Sequence, residues 1–316
     1  MIETEVLIIG GGPAGAACAW QLKQHGVDFI LLDKTAFPRP KTCAGWITPR
    51  VLRDIQLDPA TYPGNFTVFN RFNIEIRGLR FTLPTRQYAI RRAEFDDWHI
   101  NRVRDNVTIH PVEQIRHEAE RYVVDGAYSA RYLIGAGGTH CPVKRSLFAD
   151  NETDTASTLI IAQEEEFTYP GASDRCHLWL LQNGLPGYAW YFPKSEGVVN
   201  VGVGGSAEGL KRRGDSLKRH WELLVEKLGR YGLVRGHEFK PVGHSYYLRA
   251  RSPVLRKGNA MLIGDALGVS TLDMGEGIGP SIQSGINAAN AIFHNTPYTL
   301  EGISRFSFPS LLRLRR

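Results

Sequence analysis

Apolar runs and amphipathic stretches succeed one another along the chain in an order that predicts its elements. Val6–Ile9 is an unbroken apolar run, the pattern of a strand buried on both faces. It enters Gly10-Gly11-Gly12-Pro13-Ala14-Gly15, and a helical pattern on Ala16, Ala17, Trp20 and Leu22 follows until Gly26. Phe29–Leu32 repeats the strand pattern and ends at Asp33. Residues 65–90 change character: Phe72–Ile76 and Leu79–Leu83 read as short alternating strands. Residues 90–103 return to helical spacing with Phe95, Trp98, Ile100 and Val103 on one side, and Val107–Val112, Arg121–Val124 and Tyr132–Ala136 predict further strands. Residues 155–205 are strand-rich, with Leu159–Ala162, His177–Leu181, Tyr188–Phe192 and Val198–Val203. Lys211–Leu228 predicts one amphipathic helix, Ser245–Arg249 a strand, Asn259–Ile263 a buried strand and Pro280–Phe293 a helix.

This order predicts an α/β fold: a Rossmann-like cofactor domain made of 1–64, 91–150 and 251–316, with an inserted, mainly antiparallel β-sheet substrate domain made of 65–90 and 151–250. Gly10, Gly12 and Gly15 form a GxGxxG turn between strand and helix. The first glycine permits the tight turn, the second lets a pyrophosphate approach the backbone, and the third lets the helix lie close to the sheet. The helix start offers free N–H groups and a positive dipole end. Asp33, eighteen residues after Gly15, has the spacing of an acid that binds a ribose. Ala14 in the turn, Lys34 beside that acid and Val112 at a strand end complete the expected cofactor contacts here. NAD and FAD both use such a turn.

Composition narrows the setting. The chain has 316 residues, 42% of them hydrophobic, enough for about two domains with a substantial core. No stretch approaches the ~18–20 continuous apolar residues of a membrane span. The N-terminus reads as a strand rather than a signal peptide, so the expected location is cytoplasmic. Cys18, Cys43, Cys141 and Cys176 show no CxxC spacing, and no metal site or redox dithiol is expected. The net charge of +6 is dispersed, and no nucleic-acid motif accompanies it. The terminal FSFPSLLRLRR alternates apolar and basic residues: either a frayed basic tail or a peripheral contact with anionic lipid headgroups.

Three separated motifs resemble the flavoprotein hydroxylase-like superfamily: the N-terminal fingerprint; Arg92-Ala93-Glu94-Phe95-Asp96 together with the YLIGAGG strand; and LIGDALGVSTLDMGEGI, residues 262–278. The resemblance implies FAD, with Arg92, Gly264 and Asp265 at the cofactor, Asp265 on its ribityl chain, and Gly275, Gly277 and Ile278 near the flavin ring. A glycine-rich helix start there would stabilise negative charge on a reduced flavin. Where the superfamily often has GADG, this chain has Gly135-Ala136-Gly137-Gly138, and it has no second dinucleotide fingerprint. A separate electron donor is therefore expected.

Within that superfamily the chain is most similar to the geranylgeranyl reductase family. Lys41-Thr42-Cys43-Ala44-Gly45 resembles its KxCGG loop, with Ala44 in place of a glycine. Tyr188-Ala189-Trp190-Tyr191-Phe192-Pro193, then eight residues, then Gly202-Val203-Gly204, resembles its YxWxFP…GxG pattern. Spacing alone puts Tyr188, Trp190 and Phe192 on one strand face and Gly202 and Gly204 on one face of the next. This predicts an apolar wall with room for a long ligand, or ordinary packing beneath a sheet. Trp46 joins the substrate side, and Cys43 is the candidate catalytic residue, as proton donor or chamber wall. Glu276 either shapes the flavin's charge or caps its helix; His140 and His244 read as structural or exposed. The implied activity is reduction of carbon–carbon double bonds in a polyprenyl lipid or related apolar isoprenoid, by hydride transfer from reduced flavin coupled to protonation. The rivals are a flavin monooxygenase or halogenase acting on an aromatic substrate and a non-redox, flavin-dependent isoprenoid cyclase.

Overall fold

The computed structural model describes residues 1–64, 66–151 and 158–311. The basic tail beyond Leu311, and with it the lipid-contact expectation, lies outside them.

In chain order the elements begin β1 (Ile2–Ile9), α1 (Pro13–Gln24), β2 (Phe29–Asp33), β3 (Trp46–Ile47), α2 (Pro49–Asp54), β4 (Thr67–Ile76), β5 (Leu79–Ala89) and α3 (Arg92–Asn101). They continue with β6 (Val107–Ile109), β7 (Ile115–Glu118), β8 (Arg121–Val124), β9 (Tyr128–Gly135), α4 (Pro142–Leu147), β10 (Leu159–Thr168), β11 (Cys176–Leu180), β12 (Gly187–Pro193) and β13 (Val198–Ser206). The last are α5 (Ala207–Arg212), α6 (Leu217–Arg230), β14 (Val242–Tyr247), β15 (Arg256–Lys257), β16 (Ala260–Leu262), α7 (Ile278–Phe293) and α8 (Phe308–Leu311).

Two eight-stranded sheets result. The first runs β15-β16-β9-β1-β2-β6, parallel from β16 to β6, with the β7–β8 ribbon attached to β9. The C-terminal halves of β1 and β9, with β2 and β16, are buried on both faces, which is why they read as apolar runs. The second runs β14-β10-β13-β12-β11-β4-β5-β3, antiparallel except where β11 pairs with β4. The β4–β5 and β10–β14 segments share this sheet. Trp46–Ile47, on the cofactor side of the expected boundary, also joins it as edge strand β3; two residues are too short for a periodic signal.

The second sheet has two working faces. Ala189, Tyr191, Val199, Val201 and Val203 point to α6, where Trp221, Leu224 and Leu228 cover them. Trp190 and Phe192 point the other way, into a cluster with Trp46, Phe72 and Ala162. The single helix expected over Lys211–Leu228 is two. Gly214, at φ +62°, breaks the chain, and Ser216 restarts it by accepting the N–H of Arg219.

Glycines set how closely the first sheet and its helices approach. A Cβ on Gly15 would overlap the Gly10 carbonyl oxygen, and one on Gly285 of α7 would overlap the Ala14 carbonyl oxygen of α1. Both contacts are with backbone, which has nowhere to move. Gly285→Ala should therefore cost about 1–3 kcal/mol, seen as a lower urea midpoint with an unchanged slope.

Candidate active site

A cavity of about 1130 Å³ lies between the two sheets. It exceeds the roughly 300–1,000 Å³ of an ordinary small-molecule site. One end is walled by Gly10, Gly12, Ala14, Asp33 and Lys34; the other by Ala162, Tyr188, Trp190 and Gly204.

The first end fits a dinucleotide. A Cβ at Gly12 would meet nothing within 4 Å, so its open side faces the cavity, whereas one at Gly10 would meet Ala136 O at 2.5 Å. Asp33 Oδ2 accepts the N–H of Gly11 at 2.7 Å and a bond from Arg39 at 3.2 Å, and Oδ1 accepts the N–H of Thr35 at 3.0 Å. The acid with ribose spacing thus also fixes the turn. Arg39, Val112 and Arg92 line the same space. Arg92 is buried and makes two bonds to Asp96, at 2.9 and 2.7 Å. Burial opposes its charge, but the Asp96 carboxylate holds it firmly protonated. Asp265, Gly275, Gly277 and Ile278 line the middle of the cavity, and the buried Ser270 hydroxyl beside them has no partner. An FAD running from Gly12 to the start of α7 fits the open side of Gly12 and this unmatched hydroxyl.

The loop at 41–45 closes the middle. Gly45, at φ +73°, accepts the N–H of Ile90, and a side chain there would overlap the Ile90 carbonyl. Cys43 is half-buried on the cavity wall, its Sγ 3.4 Å from the Gly45 nitrogen. Asn200 ties this loop to the second sheet: its Oδ1 accepts from Trp190 Nε1 at 2.7 Å, and its Nδ2 donates to the Cys43 carbonyl at 3.4 Å. Tyr188 donates to the Met274 carbonyl at 2.6 Å, linking the aromatic strand to the 275–279 loop.

Four of the expected contacts stand behind the wall. Gly15 and Gly264 do not line the cavity; Gly15 lies against Gly10, and a Cβ on Gly264 would come within 2.7 Å of the Ala14 Cβ. Phe192 is buried among Trp46, Phe69 and Phe72, with ring centres 5.8–6.3 Å away. The space over Gly202 is filled by the Trp190 indole, so it holds no ligand. Trp46 both lines the cavity and anchors the cluster, donating to Gln87 at 3.0 Å.

Two carboxyl groups change the chemistry of the chamber. Glu276 is held by Ser307 at 3.0 Å, and burial pushes its carboxyl up to about 7. Glu164 is only 2% exposed, lines the cavity and has no partner for Oε1. Burial pushes it up to about 7 against the pull of Lys194, Lys41 and Arg92. The sequence reading missed Glu164 by ending its strand at Ala162; β10 continues to Thr168, so Glu164 shares the inward face of Ala162. Within Gln163-Glu164-Glu165-Glu166 that alternation was the available signal. His244, read as structural or exposed, lines the cavity with Nδ1 unpartnered, and burial lowers it to about 4, so it is neutral near pH 7. His140 also reaches the cavity from an exposed position.

Comparison with known proteins gives these features a context. Residues 3–56 match the family model of an FAD binding domain, and 158–230 that of a geranylgeranyl reductase catalytic domain. A menaquinone reductase of Mycobacterium tuberculosis is 28% identical, covering 92% of this chain and 76% of its own length. A digeranylgeranylglycerophospholipid reductase of Thermoplasma acidophilum is 25% identical, over 90% and 76%. Among solved structures, a geranylgeranyl bacteriochlorophyll reductase-like protein from Thermoplasma acidophilum superposes with a TM-score of 0.78 at 21% identity, over 95% of this chain and 82% of its own. A probable FAD-dependent monooxygenase from Pseudomonas aeruginosa gives 0.72 at 14%, over 98% and 92%, a likeness of fold alone.

Two outcomes are expected. Gly12→Ala should keep the unfolding midpoint of the apoprotein yet weaken FAD binding by roughly 10- to 100-fold in a flavin fluorescence titration. Glu164 holds a proton in the folded chain that the unfolded chain releases, so its contribution is fullest below about pH 4.5 and is lost as pH rises through about 7. Glu164→Gln should remove a loss on the order of 3 kcal/mol across that window, measured by urea unfolding at about pH 5 and about pH 8. With an FAD-binding match at one end of the cavity and a match to a geranylgeranyl reductase catalytic domain at the other, the chain is an FAD-dependent oxidoreductase similar to geranylgeranyl reductases.

Proposed function

We propose that this enzyme saturates carbon–carbon double bonds of a polyprenyl, geranylgeranyl-type lipid or related apolar isoprenoid. The observation that carries the reading is one continuous cavity in which the Gly275–Gly279 loop faces Tyr188, Trp190, Ala162 and Gly204. Relatives named for reducing menaquinone and a digeranylgeranylglycerophospholipid support an apolar substrate.

Bound FAD, once reduced, supplies the hydride equivalent that an unpolarised alkene requires. The chain's own residues hold and shield the substrate. Tyr188 and Trp190, with ring centres 5.6 Å apart and tilted to each other, give an isoprene unit an apolar wall, and Gly204 lines the cavity beside it. Asn200 and the Tyr188–Met274 bond keep that wall in register with the cofactor loops. Cys43 forms part of the wall of the reaction chamber. Gly137 lacks the side chain of the aspartate that the superfamily often carries, so the proposal includes a separate electron donor. Weak attachment of the basic C-terminal tail to a lipid surface would bring the enzyme to its substrate.

The FAD-loaded protein, reduced chemically without oxygen and mixed with geranylgeranyl lipids, should yield products heavier by pairs of hydrogens in mass spectrometry. Gly204→Val, which narrows the chamber, should retain FAD and lower turnover by about 10- to 100-fold. Unchanged lipids, together with rapid reoxidation of the flavin by air, would count against the reductase and for a monooxygenase.

A further inference from the structure

Glu164 is a buried carboxyl on the wall of the cavity. It stands on β10 beside Gly202, and the indole of Trp190 lies over that glycine. Its side chain therefore belongs to the same sheet face as the aromatic wall, and it lines the cavity. The charged groups acting on it are Lys194, Lys41, Arg92 and Glu166. Two of the cations are committed elsewhere: Lys194 to Glu166, and Arg92 to Asp96. Glu166 is also held by Arg91 at 3.2 Å. Glu164 Oε1 is buried and left without a hydrogen-bond partner. An apolar residue would be cheaper there, because an unpaired buried carboxyl destabilises the fold.

Other groups face the same part of the cavity, Tyr246 and His244 among them. The Tyr188 hydroxyl is spent on the Met274 carbonyl. Cys43 Sγ accepts from Gly45 and stands beside the Arg92 guanidinium.

Resting on the reductase reading above, we propose that Glu164 is the proton donor of the reaction. The π pair of the alkene forms a C–H bond with the carboxyl proton, and the O–H pair remains on Glu164 as carboxylate. The other alkene carbon gains a hydride, whose two electrons come from the reduced FAD, which is oxidised. The carboxylate recovers its proton from solvent between turnovers.

The test uses the full chain loaded with FAD, with carbon-13 in its glutamate carboxyls. NMR titration without substrate should show a carboxyl with a midpoint near 7 that disappears in Glu164→Gln; Glu276→Gln identifies the other such signal. With the chemically reduced enzyme and a geranylgeranyl lipid, Glu164→Gln should lower product formation by about 10²–10⁴-fold while FAD binding is unchanged. Glu164→Asp should recover part of the rate. The wild-type rate should fall as pH rises through about 7, a limb that moves in Glu164→Asp. Equal turnover in Glu164→Gln, or titration of Glu164 in the ordinary carboxylate range, overturns the assignment. A wild type that titrates near 7 but reduces no lipid sinks the reductase reading and takes the donor role with it.

Discussion

The close approach of backbone to backbone at the N-terminal turn is the constraint on which the rest depends. Gly10 and Gly15 let α1 begin directly above the end of β1, and Gly285 lets α7 lie against α1. That contact carries the start of α7, and so the Gly275–Gly279 loop, to the cavity that Gly12 faces. Asp33 secures the arrangement through the N–H of Gly11. Side chains at these glycines would separate the elements that jointly form the cofactor cleft.

The second sheet solves a different problem with strand alternation. Ala189, Tyr191, Val199, Val201 and Val203 build a core under α6, whereas Tyr188, Trp190 and Gly204 face the cavity and Phe192 the aromatic cluster behind it. Substrate contacts can thus be specified without disturbing the packing that holds the sheet. The same alternation carries Glu164 inward from a run of acids whose neighbours face outward or interact at the surface.

Much of this was legible in the chain. The fingerprint, the apolar parallel strands and the GD loop each have a local physical signature, and the cofactor end followed from them. The aromatic face of β12 was also readable, but its depth was not. Period two gives a side, not a distance from the ligand, so Phe192 and Gly202 look equivalent to Tyr188 and Gly204. Whether a glycine's space is empty depends on a neighbour such as Trp190, set by cross-strand register. Glu164 was hidden because acids in sequence resemble a solvated edge, and burial is a property of the assembled sheets. The break at Gly214 was locally visible but outweighed by the apolar periodicity around it.

The path of the chain between the sheets has a consequence for how the protein is made. The chain enters the second sheet at β3, leaves after β5, returns at β10 and leaves again after β14. Early strand β4 lies parallel to late strand β11, and β9 waits for β16. Neither sheet can be completed on the ribosome from a contiguous stretch, because each contains strands from both halves of the polypeptide. Long-range pairings of this kind form late and slowly. Until β16 emerges, the nascent molecule exposes unpaired strand edges, a stage at which chaperone protection matters most.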